Sequence, residues 1–177
     1  MTNSLVRRLV GGFLLASVAL SGSAFAHGSG EHGVTSFNPL ADKVREVNAR
    51  FVDVNQALAE GYSPIPCVSG VEGGAMGIHY VNGALIDDKV LDIAKPEAVM
   101  YEPKADGSLE LVAVEYITPE GPAALEGQLL SFVKAPNRYG LPDFYELHVW
   151  AWRQNRTGTF SDMNPDVSCE AAPLASK

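Results

Sequence analysis

Chemistry in this chain would begin with its histidines, of which the 177 residues contain four. His27 and His32 lie in a glycine-rich stretch near the N-terminus, whereas His79 and His148 sit inside runs of β-forming residues. A neutral imidazole ligates transition metals, and the same ring carries protons near neutral pH. The carboxylate that best complements the inner pair is Glu115, because alternation places it in an apolar file with Leu109, Leu111, Ala113 and Ile117. A carboxyl group in such surroundings is expected to have a raised pKa. Two imidazoles and one carboxylate make a facial metal triad, and Glu115 or His148 alone offers a general base. No short H-x-x-x-H element gathers the donors, so the isolated protein is expected to carry no tightly bound transition metal. A second metal reading uses His27, whose amine and imidazole together would suit copper if it became the N-terminal residue, with His32 close by. A Gly-rich arm must be ordered to bind in that way, which favours a solvated linker.

Aromatic residues surround the same candidates. Along 145–152 a period of two places Glu146, His148, Trp150 and Trp152 on one face, with Tyr145, Leu147, Val149 and Ala151 on the other. Along 77–82, Gly77, His79 and Val81 alternate with Ile78, Tyr80 and Asn82. The leading expectation is an exported module that binds a small ligand without catalysis. In it Tyr80, Tyr116, Trp150 and Trp152 form aromatic walls, and His79, Glu115 and His148 supply polar anchors. Rival readings are an enzyme using Glu115 or His148 as general base, and an interaction protein exposing the two tryptophans as an apolar patch. Phosphate-cradle chemistry is disfavoured, because Gly70–Gly77 precedes a strand instead of opening a helix. No G-x-S-x-G nucleophile element occurs. The sequence names no cofactor and leaves the ligand and the oligomeric state open.

These side chains need elements to hold them. Asn38 is a good N-cap and Pro39 suits the first helical turn. Leu40, Val44, Val47, Phe51, Val54 and Leu58 then recur at spacings of three and four, which predicts one amphipathic helix over 39–60 ending at Gly61. Pro64, Pro66 and Cys67 deny its continuation. Strands are expected at 77–82, 98–102, 109–118 and 145–153, with Asp106-Gly107 as the turn of a hairpin. Residues 84–93 suggest a turn of helix. A further helical face at 122–133 carries Leu125, Leu129, Phe132 and Val133, though Gly127 weakens it. The expected fold is therefore α+β: a single domain over 38–177 in which one long N-terminal amphipathic helix packs on a curved antiparallel sheet of about four strands.

Arg7 and Arg8, the apolar run Leu9–Leu20 and the ending Ala24-Phe25-Ala26 read as a secretory signal peptide over 1–26. The apolar run is too short for a bilayer, and no later segment qualifies, so no membrane span is expected after cleavage. A flexible arm over 27–37 follows. The destination is the periplasm or the exterior. There Cys67 and Cys169, the only two cysteines, are expected to pair as a disulfide that closes a loop of about 100 residues. Thirteen Lys+Arg against 21 Asp+Glu and a pI near 4.9 remove the electrostatic basis for binding nucleic acid or anionic membranes.

Several segments carry a resemblance beyond these patterns: Gly74-Ala75-Met76-Gly77-Ile78-His79-Tyr80-Val81-Asn82, Tyr101-Glu102-Pro103, Val114-Glu115-Tyr116, His148-Val149-Trp150-Ala151-Trp152, and Asn164-Pro165 leading to Ser168-Cys169. With them the chain resembles an uncharacterised family of small exported bacterial proteins. The resemblance implies export and carries no activity.

Overall fold

The structure is a computed structural model, and it describes residues 38–70 and 73–173. The expected leader (1–26) and arm (27–37), with His27 and His32, lie outside the described residues. Asn38 caps helix α1 (Pro39–Val47), its side-chain oxygen accepting from the Leu40 and Ala41 amides.

The helix expected to run unbroken to residue 60 is corrected to three short pieces. α1 ends at Asn48, a buried residue whose side-chain amide donates to the Val44 carbonyl and to the Ile93 carbonyl across the fold. A 3₁₀ turn, Ala49–Val52, follows. Asp53 is then extended and accepts from the Asn55 amide as cap of α2 (Val54–Ala59). Asn and Asp side chains compete with the helical ladder for backbone partners, and here they win twice. The apolar stripe is re-aimed at each break: Val44 and Phe51 are buried, whereas Leu58 is 51% exposed.

The strands are β1 (Ser63–Pro64), β2 (Val68–Ser69), β3 (Ala75–Val81), β4 (Ala98–Pro103), β5 (Leu109–Thr118), β6 (Ala124–Leu125), β7 (Gln128–Leu129), β8 (Ser131–Val133) and β9 (Phe144–Val149), with helix α3 (Gly83–Asp88) between β3 and β4. Six of them lie in the order β1-β3-β4-β5-β9-β8, and β2 also pairs with β3 to complete a seven-stranded sheet. Every pairing is antiparallel. The α+β expectation of a long helix on about four strands thus gives way to a predominantly antiparallel sheet with short helices. The helix expected at 122–133 is likewise absent. β6 and β7 form a small hairpin through Glu126 and Gly127, both at positive φ, and β8 leads on to the sheet edge. The 145–153 strand stops at Val149, after which the Trp152 and Arg153 amides both donate to the Val112 carbonyl.

Register determines which side chains share a face. β4 pairs Met100 with Ala113 and Tyr101 with Leu111, so Val112 is an extra residue on β5. That bulge sends Leu111 to the helix side, with Tyr80, Val99, Tyr101, Val114, Tyr116, Leu147 and Phe51. The Tyr101 hydroxyl donates to the Phe51 carbonyl, and the Tyr116 hydroxyl to the Ile93 carbonyl, both at 2.7 Å. Beyond the bulge, Ala113, Glu115 and Ile117 point to the opposite face. There Met76, Met100, Ala113 and Trp150 form one apolar cluster, and Ile86, Ile117 and Phe144 form another. Along β5, Glu115 falls between them.

Segment 134–143 contributes to this second face through Tyr139 and Leu141, and the tail through Met163 and Val167. The tail is tied down at several points. Asn164 and Ala75 exchange backbone hydrogen bonds, the Trp150 indole donates to the Ser161 carbonyl, and the Ser168 amide donates to Glu102. Cys67 and Cys169 are joined in a disulfide. Gly77 lets β3 pass beneath β4: its φ is +93°, and a Cβ there would stand 2.5 Å from the Tyr101 carbonyl oxygen. Among the described residues no helix is long and apolar enough to cross a membrane.

Candidate functional site

Three strands deliver the site. Glu115 on β5 is the direct cross-strand partner of His148 on β9, and Ile117 is the partner of Glu146. His79 comes from β3, with β4 between it and β5. Ala98 pairs with both Val81 and Glu115, and its short side chain leaves room for the imidazole to reach across. His79 Nε2 lies 3.4 Å from Glu115 Oε2, and His148 Nε2 lies 3.6 Å from the same oxygen. All three residues are buried.

Further polar groups close around them. Arg138 Nη2 donates to Glu115 Oε1 at 2.6 Å and to Glu146 Oε2 at 2.5 Å, and it stands 3.4 Å from His148 Nε2. The Tyr139 hydroxyl donates to Glu115 Oε2. On the far side of the His148 ring, Nδ1 faces Asp162 Oδ1 at 3.6 Å and Glu146 Oε1 at 3.9 Å. Among the described residues neither ring nitrogen of His79 has a hydrogen-bond partner in good geometry, although the Gly77 backbone is near enough to act on the ring, and His148 Nδ1 is likewise without one. A fully buried imidazole with both nitrogens unpartnered is unusual, because buried polar atoms are nearly always paired.

The electrostatics follow from burial and crowding. Burial, then the Arg138 guanidinium and His148, hold His79 well below the usual histidine range, so its ring is neutral. Burial alone would lower the Arg138 pKa, but Glu115, Tyr139 and Glu146 outweigh it and keep the guanidinium charged. Burial and the Glu115 carboxylate raise Glu146 above the usual carboxylate range. They raise the Tyr139 phenol as well. Asp162 is held below its ordinary value by the His148 ring beside it.

The seven residues expected to line one pocket divide between two faces. His79, Glu115 and His148 come together, with Trp150 on the same face in the adjoining apolar cluster. Tyr80 and Tyr116 belong to the helix-side core, and Trp152 is half-buried against it. The bulge at Val112 and the turn after Val149 break the alternation that placed both tryptophans on one face. Arg138, Tyr139 and Asp162 were not singled out by sequence reasoning. The first two come from an Asn-Arg-Tyr-Gly loop and the third from an irregular tail, where no periodicity reports direction. Glu146 carried a signal, since it precedes His148 by one period of the strand.

Donor atoms of two sets lie mutually within 4.8 Å: His79, Glu115 and His148 in one, Glu146, His148 and Asp162 in the other. Ligands about 2.0 to 2.1 Å from a tetrahedral ion stand roughly 3.3 to 3.4 Å apart. The two imidazole-to-carboxylate separations in the first set are close to that edge. No known protein family, curated protein or solved structure matches the chain.

Proposed function

We propose that this is an exported metal-binding module whose His79, Glu115 and His148 hold one divalent transition ion. The observation that carries the reading is the convergence of two buried imidazoles on one buried carboxylate oxygen, Glu115 Oε2, at 3.4 and 3.6 Å, with no well-formed hydrogen bond to either His79 nitrogen among the described residues. Two nitrogens and one oxygen suit zinc, iron, nickel or copper, and leave a coordination position for water. The small ligand of the sequence-based expectation thereby narrows to an inorganic one. An organic ligand walled by Tyr80, Tyr116, Trp150 and Trp152 finds no support, since those rings lie on two faces. The expectation of a metal-free protein rested on the lack of a short H-x-x-x-H element and on imidazoles in separate strands, and the approach of both rings to Glu115 Oε2 supports the opposite reading.

Ligation asks Glu115 Oε2 to exchange the Tyr139 proton for the ion, while Arg138 continues to hold Oε1. The disulfide between Cys67 and Cys169 supports an extracytoplasmic setting. The test is elemental analysis and cobalt(II) titration of protein purified without an affinity tag. About one ion per chain is expected, with a tetrahedral or five-coordinate cobalt spectrum. His79→Ala and His148→Ala should each abolish that spectrum while the far-ultraviolet circular dichroism is kept. Folded wild-type protein that takes up neither zinc nor cobalt would sink the reading.

A further inference from the structure

A buried ligand set needs a path for its ion. His79, Glu115 and His148 are all inaccessible, whereas the side chain of Asp162 is 60% exposed. Asp162 faces the same imidazole from outside. His148 Nδ1 is buried without a hydrogen-bond partner, and it is aimed between Asp162 Oδ1 at 3.6 Å and Glu146 Oε1 at 3.9 Å. Both separations exceed a hydrogen bond. They are open enough for one cation to sit among three donors.

We infer that Glu146, His148 Nδ1 and Asp162 form a second, solvent-facing divalent-cation site that loads the inner one. The inference rests on the inner-site reading and adds to it the route of uptake. His148 is the shared element, offering Nδ1 outward and Nε2 inward. A neutral imidazole has one lone pair, so its ring serves one ion at a time. As the ion passes from Nδ1 to Nε2, one proton leaves Nε2 and one is taken up at Nδ1, and the transfer is proton-neutral. Arg138 bridges the two sets through its bonds to Glu115 Oε1 and Glu146 Oε2. It does not engage the two carboxylate oxygens that face His148, of which Glu115 Oε2 is held by the Tyr139 hydroxyl.

The alternative role for Asp162 is to steady a ligating ring from behind, and kinetics separate the two. A loading site alters the rates of gain and loss together, whereas a positioning carboxylate alters affinity, by about 10- to 100-fold when removed. Cobalt(II) uptake and release by the full chain would be followed by stopped-flow absorbance for wild type and Asp162→Asn, an exposed substitution compatible with folding. The expected result is that uptake and release both slow by about tenfold, because a relay carboxylate lowers the barrier to passage in both directions, while Kd is unchanged. A weakened Kd with an unchanged uptake rate would overturn the loading site, and so would unaltered kinetics.

Equilibrium titration of His79→Ala gives an independent measurement. This variant should retain a weaker, fast-exchanging cobalt site that disappears when Asp162→Asn is added. Loss of all binding in folded His79→Ala, with wild type still holding one ion, would refute the outer site and leave the inner one standing. Asp162-dependent binding in a wild type that never forms the inner spectrum would support the outer site as a cation site and remove the loading role along with the inner reading.

Discussion

Replacing Glu97 by glutamine should reverse the order of stability between variant and wild type as pH rises. Glu97 is buried; its Oε2 accepts the Ile117 amide at 2.8 Å, and its Oε1 has no partner. Burial, helped by the charges of Asp88 and Glu115, pushes its pKa up from 4.5 to about 8, against the opposing Ile117 hydrogen bond. Between those two values the folded chain keeps a proton that the unfolded chain has lost. Stability therefore falls as pH rises across this window, at up to about 1.4 kcal/mol per pH unit, or roughly 3 to 5 kcal/mol in all. Glutamine preserves the acceptor for Ile117 and cannot ionise, but its amide brings two N–H donors to the unpartnered position where the neutral acid brings one O–H, at a cost of about 1 to 3 kcal/mol. Wild type should be the more stable protein at pH 5, and Glu97→Gln the more stable at pH 9. Urea denaturation of both proteins from pH 5 to 9, followed by circular dichroism with the disulfide intact, measures the difference and cancels the other titrating groups. Parallel stability curves would refute the reasoning.

Trp150→Ala should cost about 3 to 5 kcal/mol, since its ring is buried among Met76, Met100 and Ala113 and its indole is bonded to Ser161. Trp152→Ala should cost clearly less, because that ring is only half-buried, and equal losses in chemical denaturation would contradict the assignment of the two rings to different environments. Reducing and alkylating the Cys67–Cys169 bond, which spans 102 residues, should lower stability by about 4 to 5 kcal/mol on the chain-entropy account. A denaturation midpoint unmoved by reduction would show that the bond constrains little. Arg138→Met leaves Glu115 and Glu146 without their shared cation and should cost about 3 to 5 kcal/mol at pH 7. Added zinc should restore more stability to this variant than to wild type, as read from thermal melts; an equal or smaller gain would count against charge replacement.

Much of the site was legible because strands report direction. His79, Glu115 and His148 were each assigned to a strand, and Glu115 and His148 are direct cross-strand partners. What the alternation could not supply was the bulge at Val112, one extra residue that turned Leu109 and Leu111 away from the face of Glu115. The helix breaks for a related reason. Its spacing is correct, but Asn48 and Asp53 satisfy backbone groups locally, and the value of Asn48 lies in its bond to Ile93, which is distant in sequence. The 122–133 segment has helical spacing too, yet the positive φ at Glu126 and Gly127 belongs to a turn. Arg138, Tyr139 and Asp162 occupy loops, whose side-chain directions are fixed by tertiary contacts alone.

The charge balance of the second face fits the proposal of a cationic ligand. Glu115, Glu146 and Asp162 meet a single guanidinium, from Arg138, and the His79 imidazole is neutral. With the carboxylates ionised, the two buried ones, Glu115 and Glu146, carry one charge more than Arg138 neutralises in a region of low dielectric, where an unbalanced charge is costly, whereas Asp162 is exposed. Two species can relieve the surplus. A proton does so at Glu146, whose pKa is raised by burial and by Glu115. A divalent ion does so as well, and it would also give partners to imidazole nitrogens that a proton on Glu146 leaves unpaired. An anionic ligand would add to the surplus, and a neutral one would leave it in place. The strands that bring His79, Glu115 and His148 together thus also bring one buried carboxylate more than Arg138 can neutralise, a surplus that a proton or a cation can relieve.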